Sequence, residues 1–347
     1  MKKISKFLSV ILTVCLLFCV TNVSTYAATT PEFSTETERR NEYISEVLSE
    51  YLRIEGRRDF NEIKISNPIH VVNNNDNQSQ MYLITEDNTY IAQLVVTRIN
   101  DTYYSSFMFD DDSRIDSVLR NNTAFALIAL GDDCLILQTD EENIAISGKI
   151  NSTSERLIPS CAHSVANFSS YQLIQDESQQ TREYYVSLPV SYVSNDTVNG
   201  EGVCWAACIA AVSNYRMNTS YDAMDIYDAL DDLYLGTPQG SNTWYKRGYR
   251  YCGMTCTCTS GMSYSSLYTQ LSSNHKPAIF GMYRNGGAHA IVCKYFQGGN
   301  EYATYGFMDP NKTNTVYIQF SDPNLDPDNF VYTNGLQTYN EWRYTRY

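Results

Sequence analysis

Gly200-Glu201-Gly202-Val203-Cys204-Trp205-Ala206-Ala207-Cys208 opens a run of small and apolar residues that predicts a helix over about 204–215. Backbone N–H groups at a helix start lack partners, and the helix dipole favours an anion there. Cys204 falls in that first turn, whereas Cys208 lies one turn further in, past the useful range of the dipole. Downstream, His289 sits on a predicted strand over 288–296, and Asp309 follows another over 301–308. Gln297-Gly298-Gly299-Asn300 between them is a turn signal. The midpoint of 289 and 309 falls at 299, inside that turn, so a hairpin sets His289 opposite or diagonal to Asp309. Directly opposed β-carbons stand about 5 Å apart, and diagonal ones stay within side-chain reach. Taken singly, the cysteine is an ordinary small core residue, the histidine a buried polar side chain and Asp309-Pro310 a turn. The register ties them together, and a thiol, an imidazole and a carboxylate are the parts of a nucleophilic hydrolase.

Further text lies in the same half of the chain. Leu188-Pro189-Val190 precedes the cysteine, and Lys276-Pro277-Ala278-Ile279-Phe280 precedes the histidine strand, which reads Gly287-Ala288-His289-Ala290-Ile291-Val292. With Cys204-Trp205-Ala206-Ala207 and Met308-Asp309-Pro310, residues 184–320 resemble the papain-like cysteine peptidases, nearest to the secreted bacterial branch of staphopain, streptopain and the double-glycine leader peptidases. The resemblance implies an α+β catalytic domain over 184–347, with the cysteine on its first helix and the histidine and aspartate on an antiparallel sheet. It implies Cys204 as nucleophile, His289 as general base and acid, and Asp309 as the group orienting the imidazole, where papain has asparagine. It also implies protein or peptide substrates and no cofactor. One part departs from the pattern. The family places an oxyanion-hole glutamine five or six residues before the cysteine, where this chain has Asn199 and Val198. Asn199 offers the same amide donor with a shorter reach, Asn195 is the alternative, and the backbone N–H of Cys204 is the second donor.

Outward from this region, the chain of 347 residues has room for two domains. Lys2, Lys3 and Lys6, the apolar run Phe7 to Val20, and Ala27-Ala28 describe a signal peptide over 1–27 and a secreted, extracellular product. The apolar run is shorter than the roughly 20 residues of a membrane span, and no later segment is long and apolar enough for one. Removing the three lysines takes the net charge from −14 to about −17, and no basic cluster offsets it, which excludes nucleic acid as a partner. Cys15 and Cys19 leave with the signal, and the spacings of the remaining cysteines do not describe a disulfide scaffold.

Residues 28–150 read as an N-terminal pro- or accessory domain, one helix on an antiparallel sheet. Thr35 and Glu38 form a capping box, and Ile44, Val47, Leu48, Tyr51 and Leu52 share a helical face. Period-two runs follow at 63–65, 81–85, 90–99, 103–109, 125–130 and 135–139, with His70 a strand residue rather than a catalyst. The Ser- and Gln-rich stretch 151–183 reads as a protease-accessible linker. This order suggests a latent precursor held in check by its own N-terminal domain.

The catalytic domain adds helices at 221–230 and 263–271, a loop over 236–262, and strands at 277–284 and 315–320. Cys252, Cys256 and Cys258 lack the companion ligands of a metal site, so loop packing or a local disulfide is the expectation. Residues 322–328 mimic a calcium loop, but Pro327 replaces the required glycine, leaving a rigid acidic turn. Tyr245, Tyr249 and Tyr251 are candidates for a groove rim. Two other functions share the parts: a Cys-His cell-wall amidase or endopeptidase, and a non-catalytic binding protein on a degenerate papain-like scaffold.

Overall fold

A computed structural model describes residues 36–54, 62–72, 79–110, 112–130, 134–147, 158–159, 161–170, 184–199, 201–231, 238–298, 303–320, 330–333 and 337–347. The expected signal peptide, the Thr35 cap, most of the 151–183 linker, the turn at 299–300 and the acidic turn at 322–328 lie outside the described residues. Compactness divides the chain between Tyr43 and Ile44. The first unit is described only where it opens helix α1 (Glu36–Ile54), and the second, Ile44–Tyr347, contains every other described element.

The first half of this second unit follows the period-two pattern. Strands β1 (Ile63–Ser66), β2 (Val71–Val72), β3 (Ser79–Glu86), β4 (Thr89–Ile99) and β5 (Thr102–Phe109) precede helix α2 (Ser113–Arg120). After it come β6 (Ala126–Leu130), β7 (Cys134–Gln138), β8 (Asn143–Ser147) and β9 (Phe168–Ser170). The two-residue turns Asp87-Asn88 and Asn100-Asp101 have positive φ at both positions, the backbone that lets twisted strands reverse tightly. They fold β3, β4 and β5 into a meander. β6, β7 and β8 form a second meander, to which β2 adds in parallel, so this region is not purely antiparallel as the pattern suggested. Asp112 caps α2 by accepting from Arg114 N. Within the stretch expected as a linker, β9 pairs with β1.

The second half begins with β10 (Tyr184–Ser187), the small hairpin β11 (Thr197–Val198) and β12 (Glu201–Gly202), and helices α3 (Cys204–Met217), α4 (Ala223–Asp231) and α5 (Asn242–Tyr251). Next come β13 (Cys258–Thr259), α6 (Tyr264–Ser272), β14 (Ala278–Arg284), β15 (Gly287–Gly298), β16 (Ala303–Met308) and β17 (Thr315–Phe320). A hairpin of β18 (Tyr332–Thr333) and β19 (Thr338–Tyr339) leads into β20 (Glu341–Arg346). Helix α5 occupies the middle of the stretch expected as a loop. Its aromatic and glycine content disfavours a helix by propensity, yet Trp244, Tyr245, Gly248 and Tyr249 bury one face of it.

One sheet spans both halves, in the order β13-β20-β14-β15-β16-β17-β5-β4-β3-β1-β9, with β10 beside the far end of β15. The join is β17 against β5, Val316 facing Met108 and Ile318 facing Ser106. Two apolar cores flank it. One gathers around α3 and β14–β17, the other around Leu83, Ile115, Leu127 and Leu137. The fold is α+β with a large antiparallel sheet, and the parallel β2–β6 pair lies in a separate four-stranded one.

Candidate active site

Helix α3 has buried residues on all sides from Trp205 to Ser213, which makes it a central helix rather than a surface one. Its N-cap, Val203, offers no side-chain acceptor, so the N-terminal N–H groups beside Cys204 have no side-chain cap. Cys204 itself is half-buried, whereas Cys208 is fully buried and burial pushes its thiol up, as befits an inert core residue. The chain enters α3 from the β11–β12 hairpin, whose base is closed by Val203 N donating to Asp196 O at 2.9 Å. Asn199 sits at the exposed turn of that hairpin with φ 52°.

His289 lies on β15 opposite Met282 of β14 and is 5% exposed. The ladder between β15 and β16 ends at Val292 facing Met308, and Asp309 follows directly. A β-bulge between Cys293 and Tyr295 shifts the register, and the contact between Asp309 and His289 is diagonal. His289 Nε2 meets Asp309 Oδ1 at 2.8 Å, which leaves Nδ1 as the nitrogen facing the thiol. Cys204 is close enough to add to the raising of the imidazole, which puts sulfur, imidazole and carboxylate in one line.

Asp309 is fully buried and held on every side. Its Oδ1 also accepts from Asn311 N at 2.8 Å, and its Oδ2 accepts from Tyr332 Oη. Burial alone would push this carboxyl up. The charge of His289 and the hydrogen bonds from His289, Tyr332 and Asn311 outweigh it and hold the carboxyl below the usual carboxylate range. Burial likewise works against a charged His289. The Asp309 charge, with a contribution from Tyr339 and the bonds to Asp309 and Cys204, raises the imidazole well above its ordinary value. Both directions favour the same state, an imidazolium beside a carboxylate.

Two tyrosines of the β18–β19 hairpin frame the pair. Tyr339 stacks on the imidazole at 5.4 Å between ring centres and 27° between planes. Tyr332 donates to Asp309 from the other strand. The loop after Asp309 is clamped from upstream of the cysteine: Asn195 N and Tyr192 Oη both donate to Pro310 O at 2.9 Å, and Asn195 Nδ2 donates to Asn311 Oδ1 at 2.9 Å. Asn195 therefore has its amide engaged in this clamp, whereas Asn199 makes no side-chain hydrogen bond among the described residues.

The geometry thus brings Cys204, His289 and Asp309 together and leaves Asn199 at the hairpin tip. Of the three groove-rim candidates, Tyr245 and Tyr249 are 1% and 0% exposed and belong to the core, the more economical reading of the tyrosines, while Tyr251 is exposed. Sequence reading missed Tyr332, Tyr339 and Asn311. Asn311 had a signal, since an aspartate commonly accepts from the N–H two residues on. The tyrosines had none, lying more than 20 residues along the chain. Among the described residues no group of three His, Cys, Asp or Glu side chains could hold a metal ion, and no helix is long and apolar enough to cross a membrane.

Comparison with known proteins gives one family. The sequence profile described as papain-like cysteine protease AvrRpt2 matches residues 188–341, a span running from just after β10 into the start of β20 and holding Cys204, His289, Asp309 and both tyrosines. No curated protein matches the chain. Residues 188–341 are thus similar to the papain-like cysteine peptidases, and the match supports a hydrolase of the cysteine peptidase class.

Proposed function

We propose that the protein is a secreted endopeptidase that cleaves peptide bonds through a Cys204–His289–Asp309 triad. The observation that carries the reading is the buried line of Asp309 Oδ1, His289 Nε2 and the Cys204 side chain. In the resting site the proton lies on His289, and Cys204 is the attacking sulfur. Attack on a peptide carbonyl forms the S–C bond and a tetrahedral oxyanion. His289 then gives its proton to the leaving amine as the C–N bond breaks, and an acyl-enzyme remains. Water enters, His289 takes its proton, and collapse of the second tetrahedral species releases the acid and frees the Cys204 sulfur beside a protonated His289. Asp309 stays ionised throughout, fixing the Nε2–H tautomer and the ring plane.

The Cys204 N–H at the mouth of α3 supplies one oxyanion donor. Asn199 supplies the second, because the other upstream amide, Asn195, already holds Asn311. Hydrolysis of casein and of a peptide library tests the scheme. Cys204→Ala and His289→Ala should each remove turnover, and Asn199→Ala should lower kcat about 10²-fold with little change in KM. Full activity of Cys204→Ala would overturn the assignment.

We further propose that the chain is exported by its N-terminal segment and made as a latent precursor. Two contacts support an influence of the N-terminal strands on the site. Ser79, at the start of β3, touches Thr338 Oγ1 at 3.4 Å, next to Tyr339, and β5 packs beside β18. Limited proteolysis within 171–183 should then raise kcat/KM, and equal activity before and after cleavage would remove latency from the scheme. Export is checked by N-terminal sequencing of protein from culture medium, which should begin at residue 28 or 29.

A further inference from the structure

Away from the active site, two thiols lie together in the segment between α5 and α6. Cys256 Sγ and Cys258 Sγ are 3.6 Å apart, in contact but unbonded, and both side chains are half-buried and open to small reagents. The backbone between them is fixed. Thr257 N donates to Tyr347 O at 2.9 Å, and Tyr347 N donates to Thr257 O at 3.1 Å, extending the pairing of β13 with β20.

The neighbourhood is cationic. Cys258 faces Arg346 across the β13–β20 pair. Arg346 is 1% exposed, donates from Nε to Asn242 Oδ1 at 2.9 Å and lies 3.9 Å over the Tyr245 ring, and among the described residues it forms no ion pair with a carboxylate. A buried guanidinium without an acid calls for a nearby anion. The hydrogen bond from Cys256 lowers the Cys258 thiol to about 7 against the opposing effect of burial, and Arg346 and Lys246 add to the lowering. The same bond and burial raise Cys256. The two thiols share one hydrogen bond, so ionisation of one leaves the other as its donor. By contrast, burial pushes Cys208, Cys252 and Cys293 up, leaving them unreactive.

We propose that Cys256 and Cys258 form a redox site, a dithiol that low-molecular-weight disulfides such as oxidised glutathione convert reversibly to a disulfide within the loop. The Cys258 thiolate attacks one sulfur of the small disulfide, forming a mixed disulfide and releasing one thiolate. Cys256 then gives up its proton, attacks Cys258 Sγ and releases the second small thiolate. The protein pair loses two electrons and the one proton that Cys256 held, and the reagent is reduced to two small thiolates, of which solvent protonates the second. A disulfide ring closed across a single residue is strained, and strained disulfides are the easily reduced, responsive kind rather than the structural kind. Its formation also withdraws the negative charge facing Arg346.

The test uses the full-length chain carrying Cys204→Ala, so that the nucleophile does not react. The protein is equilibrated with oxidised glutathione, treated with iodoacetamide and mapped by mass spectrometry. The expected result is that the peptide holding Cys256 and Cys258 has lost two hydrogens and resists alkylation, and that excess reduced glutathione reverses both changes. In Cys256→Ser a single glutathionyl group should accumulate on Cys258. In Cys258→Ser modification of Cys256 should slow at least tenfold. Complete alkylation of both thiols after the oxidant would overturn the proposal. So would equally fast glutathionylation of Cys256 in the Cys258→Ser chain.

Discussion

Asp309 Oδ2 has one partner that the expected triad did not include, the hydroxyl of Tyr332. A hydrogen bond to a charged acceptor contributes about 1.5–3 kcal/mol, so Tyr332→Phe should lower kcat by about ten- to a hundredfold. KM should stay near its wild-type value, because the hydroxyl positions Asp309 and not the substrate. The charge of Asp309 has a separate signature. It raises His289, so Asp309→Asn should bring the alkaline limb of kcat/KM to lower pH while leaving some activity, since an amide oxygen still accepts from Nε2–H. Stability shows the same pair from another side. The raised imidazole stabilises the fold fully below its unfolded value, about 6.5, and this is lost as pH rises through its folded value. The lowered carboxyl contributes above about 3.9 and is lost as pH falls through its folded value. In a Cys204→Ala background, urea unfolding should therefore show the largest stability loss on Asp309→Asn substitution from about pH 4 to 6.5.

At the scale of elements, the bulge in β15 sets the site. Gly306 lies across from Tyr295, where an added Cβ would come 2.6 Å from Tyr295 Cβ and 3.1 Å from Thr315 Cγ2. The first of these atoms is backbone-anchored and cannot swing away. Gly306→Ala should cost about 1–3 kcal/mol in thermal or urea unfolding, as overpacked sites do. It should also weaken activity in the surviving folded fraction, because this contact holds the register that brings Asp309 to His289. Period-two runs made the strands of both halves legible, and a glycine-rich turn midway between His289 and Asp309 made their meeting legible. The bulge was not, because it arises from packing between strands and leaves no local pattern. Helix α5 was hidden for a related reason: its aromatic residues look like loop or strand until α3 and its neighbours supply the face they cover. The parallel pairing of β2 with β6 depends on partners over 50 residues apart, which no turn signal announces.

For the whole molecule, the join between β17 and β5 carries a buried cation. Lys312 is 3% exposed beside Gln93, Ser106 and Met108, and burial lowers its amine to about 8 despite the opposing charges of Asp309 and Asp110. A lowered lysine costs stability below its folded value, and the cost is relieved as pH rises towards its unfolded value of about 10.4. Lys312→Met should thus be more stable than wild type at pH 7 in urea unfolding, with the gain shrinking above about pH 8 and gone near pH 10.5. The expected division into a helix-plus-sheet part and a peptidase part came from periodicity, the Ser- and Gln-rich stretch between them and the family resemblance. That one sheet runs through both was not, since β5 and β17 lie more than 200 residues apart and neither sequence names its partner. The continuity has a consequence for any cut between them. Before a cut, the two parts face each other at a fixed effective concentration set by the chain that joins them. Afterwards the N-terminal part becomes a ligand in its own right, bound along a strand edge and free to leave. The specific activity of a nicked preparation should therefore change on dilution, while that of the intact chain should not.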